Sequence, residues 1–160
     1  SAVQAGAVVL NLTFAEDLCV HEGIVSGVVA NRSVVAETLP LDPITFEAKA
    51  VLDATGHDAA LVRMLRRRKL IEPSGKELDE GPMDAAEGEQ FVVDNVREVY
   101  PGLWISGMCV VTTLGGPRMG PIFGGMLLSG RRAADLIANA IARHDRSPAA
   151  ASSAEMVEPM

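Results

Sequence analysis

Apolar and polar positions alternate and cluster in a way that divides the chain into short elements. Ala7 to Phe14 (AVVLNLTF) carries apolar residues on both faces and predicts a strand. Ile24 to Ala30 predicts a second strand, reached through the turn residues His21-Glu22-Gly23, so the two form a hairpin. Ser33 to Thr38 predicts a third strand, and Leu39-Pro40-Leu41-Asp42-Pro43 interrupts it, because proline removes a ladder donor and forces its neighbour to be extended. Phe46 to Ala54 (FEAKAVLDA) reads as one strand that stops at Thr55-Gly56, with Asp58 as the cap of a helix to about Arg68.

Residues 70–90, rich in Gly, Pro and acidic residues, read as loop. Phe91 to Val99 reads as a short strand or helix. Leu103 to Ser106 predicts a buried strand ending at Gly107, and Leu114 to Pro121 a glycine-rich loop. Apolar residues at helical spacing then predict a long helix from about Ile122 to His144. Ala, Ser, Pro and Glu dominate from Ser147, which predicts a disordered tail over 147–160 behind a domain of residues 1–146. The chain opens on Ser1 and runs almost directly into a strand, so it reads as a fragment that lacks its natural beginning.

Composition narrows the class. At 160 residues, 48% hydrophobic and only 4% aromatic, the chain suits helix-on-sheet packing in an α/β protein. A net charge of −7 leaves no basic stripe for nucleic acid, and the run Arg66-Arg67-Arg68-Lys69 reads as a solvated helix end. Cys19 and Cys109 sit in apolar surroundings as reduced thiols, and no apolar run reaches the length of a membrane span. A cytoplasmic protein with no membrane partner is the expectation.

The candidate chemistry lies at three glycine junctions: Ala54-Thr55-Gly56-His57, Ile105-Ser106-Gly107-Met108, and the loop ending at Gly120. Glycine after a parallel strand lets the backbone turn sharply, and a following helix offers free N–H groups to an anion. The pattern fits the second half of a Rossmann-like FAD/NAD(P)-binding fold of two or three layers. No G-x-G-x-x-G occurs, so an adenine-binding fingerprint is expected upstream. Each junction alone is equally a packing device, His57 after Thr-Gly is more often a helix-start residue, and Asp42 before Pro43 more often a turn residue. Arg118, inside a Gly/Pro loop before a helix, reads better as a ligand than as a surface charge.

Longer strings carry a resemblance. Pro117 to Gly130 (PRMGPIFGGMLLSG), Val51 to Asp58 (VLDATGHD), Asp42 to Lys49 (DPITFEAK) and Asn11 to Asp17 (NLTFAED) resemble, in order and spacing, blocks of the Thi4 family of thiazole synthases over about residues 6–143. The resemblance implies an enzyme that forms an adenosine diphosphate thiazole for thiamine from NAD, glycine and sulfide. It places ferrous iron on Asp42 and His57, which in the family come from adjacent protomers, and the glycine carboxylate on Arg118. Ala15 and Met108 match positions that contact the NAD-derived moiety, although Met108 suits a core position equally. A homo-oligomer, an octamer in the family, is implied as well.

One position departs from the family. Fungal and plant members carry a sulfur-donating cysteine two residues before the matching aspartate, and archaeal relatives a histidine; here it is Pro40. Proline has no sulfur to give, and Cys19 and Cys109 do not align with it, so free sulfide and repeated turnover are expected. Two other functions fit the same residues: a ribose-1,5-bisphosphate isomerase-like enzyme, and a non-catalytic NAD/FAD-binding module. Alone, the 160 residues are expected to be inactive, because half of the NAD site is absent.

Overall fold

A computed structural model describes residues 1–32, 43–71 and 79–146. The proposed strand Ser33 to Thr38, Pro40, Asp42 and the tail 147–160 lie outside the described residues. Two small sheets and four helices make up the described chain, a mixed α/β architecture.

Strands β1 (Thr13–His21) and β2 (Ile24–Arg32) pair antiparallel, and β3 (Ile44–Glu47) adds to the free side of β2. The hairpin expected at 21–23 is present: Glu22 and Gly23 both take positive φ, 51° and 77°, between the paired ends His21 and Ile24. Two consecutive left-handed residues match the right-handed twist of the strands they join. The strand expected at 7–14 is displaced. Pairing starts only at Thr13, opposite Arg32, and Val8, Val9, Leu10 and Leu12 remain exposed.

The second sheet has the order β4-β6-β5, from β4 (Val51–Asp53), β5 (Arg97–Tyr100) and β6 (Leu103–Ile105). Here β4 and β6 run parallel, while β5 is antiparallel to β6. The single strand expected over 46–54 is therefore two strands in different sheets. Residues 48–50 carry the chain across, with Ala48 N–H donating to the Ser26 carbonyl (2.9 Å) and Val51 N–H to that of Gly102 (2.9 Å). The expected buried strand at 103–106 is β6, whose Leu103, Trp104 and Ile105 are all buried. This is the apolar run required of a strand covered on both faces.

Helix α1 (Ala60–Arg67) packs Leu61, Val62 and Leu65 onto β1 and β4. Helix α2 (Ala85–Asp94) occupies part of the stretch read as loop, capped by Asp84, whose carboxylate accepts from Glu87 N–H at 3.0 Å. The segment 91–99 is thus the end of α2 followed by β5. A short helix α3 (Met108–Leu114), absent from the sequence reading, follows β6 directly, and the long helix α4 (Gly124–Arg146) ends the described chain. In α3 the β-branched Val110, Val111, Thr112 and Thr113 favour strand locally, but burial of residues 108–112 overrides that preference. One core cluster joins Leu18, Val25, Val51, Val62, Leu65, Leu103, Ile105 and Val110; a second joins Val92, Met108, Val111 and Met119.

Candidate functional site

The parallel strands β4 and β6 end side by side, Asp53 opposite Ile105, with Ser106 N–H donating to the Asp53 carbonyl at 3.1 Å. From β4, the buried carboxylate of Asp53 organises everything that follows. Its Oδ1 accepts from Thr55 N–H (3.0 Å) and the Thr55 hydroxyl (2.7 Å), and its Oδ2 accepts from the N–H groups of Leu61 (2.9 Å) and Val62 (3.1 Å). The Thr55 hydroxyl in turn accepts from Ala60 N–H at 2.7 Å. A helix start needs acceptors for its first N–H groups. Asp53 and Thr55 supply them from within the strand end, so Asp58, the expected cap, is not the cap. Ala59 fills that position without a side-chain bond, and Asp58 is exposed. This cross-bracing holds the turn Gly56–Asp58, and His57 projects from it with 60% of its side chain exposed.

Arg118 reaches the same place from the other direction. The segment 81–84 is laced to the loop 116–118 by backbone bonds: Gly81 N–H to the Gly116 carbonyl (2.7 Å), Arg118 N–H to that of Pro82 (3.0 Å), and Asp84 N–H to that of Arg118 (3.0 Å). Met119, fully buried, anchors the loop in the second core cluster, and the adjacent Arg118 faces outward. Gly116 of this loop and Gly125 at the start of α4 give α2 room for a close approach. A Cβ on Gly116 would lie 2.2 Å from the Phe91 ring, and one on Gly125 would lie 2.8 Å from Glu89 Cγ. The Glu89 carboxylate also accepts from Gly125 N–H at 2.9 Å, at the start of α4.

Where the two arrivals meet stands Glu80, a residue the sequence reading did not single out. One carboxylate oxygen is hydrogen-bonded to His57 Nδ1 and accepts from the buried Thr112 hydroxyl at 2.9 Å. The other lies 3.8 Å from Arg118 Nε. The Thr112 hydroxyl also stands 3.2 Å from the His57 carbonyl, tying α3 to the turn. An imidazole, a hydroxyl and a guanidinium therefore meet on one carboxylate. Met108 is packed in the second core cluster with Val92, Val111 and Met119, whereas Ala15 packs on the first cluster from the antiparallel sheet. Neither shares a polar contact with Glu80.

The donor chemistry suits a cation only in part. His57 offers Nε2, which has no partner among the described residues, and imidazole nitrogen suits ferrous iron. Among those residues no three His, Cys, Asp or Glu side chains gather closely enough to hold an ion, so further donors have to join His57. The buried Cys109 is a poor thiolate source: burial, then the nearby Asp53 charge, push its thiol far above the ordinary range. Clefts of about 520 and 580 Å³ open elsewhere and are lined by other residues.

Comparison with known proteins supplies what geometry alone does not. The sequence model of the Thi4 family matches residues 1–123. The chain belongs to the Thi4 family. It is 47% identical over 158 residues to a protein of Fervidobacterium nodosum named thiamine thiazole synthase, covering 92% of this chain and 57% of that protein. It is 52% identical over 134 residues to one of the same name from Thermococcus kodakarensis, covering 83% of this chain and 52% of that protein. The crystal structure of Thermovibrio ammonificans THI4 is similar, with a TM-score of 0.79 and 43% identity, over 88% of this chain and 55% of that one. The chain thus spans about half the length of the family relatives it matches. No helix among the described residues is long and apolar enough to cross a membrane.

Proposed function

We propose that this Thi4 chain serves thiamine biosynthesis by helping to form an adenosine diphosphate thiazole from NAD, glycine and free sulfide. The observation that carries the reading is the meeting of His57 and Arg118 on one carboxylate, Glu80. A cation-binding imidazole and a carboxylate-binding guanidinium in one place are what a glycine-consuming, metal-assisted condensation requires. The names of the relatives add the reaction class.

NAD gives up nicotinamide, and the ADP-ribose that remains condenses with glycine and sulfide. Arg118 binds the glycine carboxylate: a guanidinium donates two parallel hydrogen bonds to a carboxylate and so fixes both its place and its charge. Ferrous iron, when held by His57 and Asp42, supplies a Lewis-acidic centre able to carry sulfide to the condensation. Those two ligands would come from neighbouring protomers, so a homo-oligomer belongs to this reading, and sulfide with ferrous iron calls for a reducing cytoplasm. The sulfur comes from solution because Pro40 has none and the Cys109 thiol is held protonated by burial. Met108 and Ala15 would contact the NAD-derived moiety by shape.

The test is an anaerobic incubation of the intact protein with ferrous iron, NAD, glycine and sulfide, read by nicotinamide release and by the mass of the nucleotide product. Product that needs both glycine and sulfide supports the proposal. Isomerisation of a ribose bisphosphate without NAD consumption, or NAD bound and never cleaved, overturns it. Arg118→Ala is expected to raise the glycine KM about 10- to 100-fold, since hydrogen bonds between charged groups contribute about 1.5–3 kcal/mol.

A further inference from the structure

We propose that Glu80 is a positioning residue: its carboxylate takes the Nδ1–H of His57, fixes the tautomer of the ring and leaves Nε2 as its donor atom for a cation. The inference rests on the reading of His57 as a metal ligand. It concerns a residue that lies outside the four family-like strings 11–17, 42–49, 51–58 and 117–130, in the acidic stretch between α1 and α2.

Three observations carry it. First, a neutral imidazole has one N–H and one lone pair, and the hydrogen bond made by one nitrogen decides which atom is left for a metal. An ionised carboxylate only accepts hydrogen bonds, so its contact with Nδ1 puts the proton there. Second, Glu80 is itself held. Thr112, buried on α3, donates to the same oxygen, and Arg118 faces the other. The neighbouring Gly81 is pinned to Gly116 at 2.7 Å. With a side chain only 17% exposed, the carboxylate is held between its partners rather than free as a solvated charge. Third, Nε2 has no competing partner among the described residues, and 60% of the His57 side chain is open to receive one. A metal-bound histidine ordinarily carries such a partner on its other nitrogen, which aligns the ring and raises its basicity.

The same contact explains how Arg118 is tolerated beside a cation site. Two positive groups held close together repel each other, and a carboxylate shared between the imidazole and the guanidinium offsets that repulsion. Glu80 therefore couples the proposed iron ligand to the proposed glycine ligand.

Long-range proton–nitrogen spectra of the metal-free protein labelled with nitrogen-15 histidine read the tautomer directly, with His57→Gln identifying the signal. Wild type is expected to show Nδ1 protonated and Nε2 bare, and Glu80→Ala to show a mixture or the opposite tautomer. Cobalt(II) titrated into the intact protein, followed by its visible absorption, is expected to bind about 10- to 100-fold more weakly to Glu80→Ala. Glu80→Gln, whose amide oxygen still accepts a hydrogen bond, is expected to recover most of that loss. A wild-type ring protonated on Nε2 overturns the proposal, and so does a folded Glu80→Ala variant with wild-type cobalt affinity. If His57→Gln binds cobalt as well as wild type, the metal reading of His57 fails, a result distinct from the nitrogen shifts that judge Glu80.

Discussion

The two parallel strands of the second sheet leave it at the same edge and by the same device, a glycine of positive φ followed by a helical turn, yet their continuations differ. After β4 the chain passes Gly56 at φ 72° and sends His57 and Asp58 outward, and the start of α1 hangs on the buried carboxylate of Asp53. After β6 it passes Gly107 at φ 62° and ψ −149° and plunges into α3, where residues 108–112 are all buried. The first junction exposes a reactive side chain on a polar brace. The second packs residues 108–112 into the core and contributes the Thr112 hydroxyl, which donates to Glu80. A shared backbone motif thus yields a site or a support depending on whether a polar group at the strand end satisfies the helix that follows.

Breaking the brace gives the largest effect. Asp53→Ala leaves the buried N–H groups of Leu61 and Val62, and the part-buried one of Thr55, without their acceptor. The variant is expected to lose about 4 kcal/mol or more, since each unsatisfied buried donor costs about 1–3 kcal/mol. Urea unfolding measures it, and Asp53→Asn, which keeps an acceptor oxygen, should fall between the two. A loss below about 1 kcal/mol would mean that α1 is started by something else.

Next come the glycines. Gly107→Ala is expected to cost about 1–3 kcal/mol, because φ 62° with ψ −149° is a conformation that essentially only glycine adopts. Gly56→Ala, at φ 72° with open space where a Cβ would stand, should cost about 1 kcal/mol. Equal costs for the two, measured by thermal unfolding, would remove the distinction drawn between the junctions. The smallest effect belongs to Asp58. Asp58→Ala is expected to change stability by less than about 0.5 kcal/mol, as for a surface residue that caps nothing. The contrast with Asp53→Ala is the sharpest form of the comparison, because local sequence alone assigns the cap to Asp58.

Much of this arrangement could be read from the chain itself, where a local pattern and its environment agree. Glu22-Gly23 could only make a tight hairpin, Leu103-Trp104-Ile105 could only be buried, and the spacing after Gly124 marks a long helix. The failures have specific causes. Phe46 to Ala54 reads as one continuous strand across a crossing between sheets, because the crossing uses ordinary Ala48, Lys49 and Ala50 rather than Gly or Pro. Val8, Val9, Leu10 and Leu12 are apolar yet exposed, and they lie before the first strand begins at Thr13. Helix α3 carries four β-branched residues in a row, Val110 to Thr113, made helical by their surroundings. At the site, His57 and Arg118 were visible through family-like strings, and Glu80 was not. Its place depends on the backbone lacing of 81–84 to 116–118, a contact between segments more than thirty residues apart that leaves no periodic trace.

The central claim is that His57 and Arg118 face one reaction space. Diffraction from anaerobic crystals of the intact protein with ferrous iron and glycine, collected at the iron absorption edge, tests it most directly. The anomalous peak should stand at coordination distance from Nε2 of His57 and from a carboxylate oxygen of Asp42, with the glycine carboxylate forked on Arg118. Iron bound away from His57, or glycine bound away from Arg118, would contradict the account.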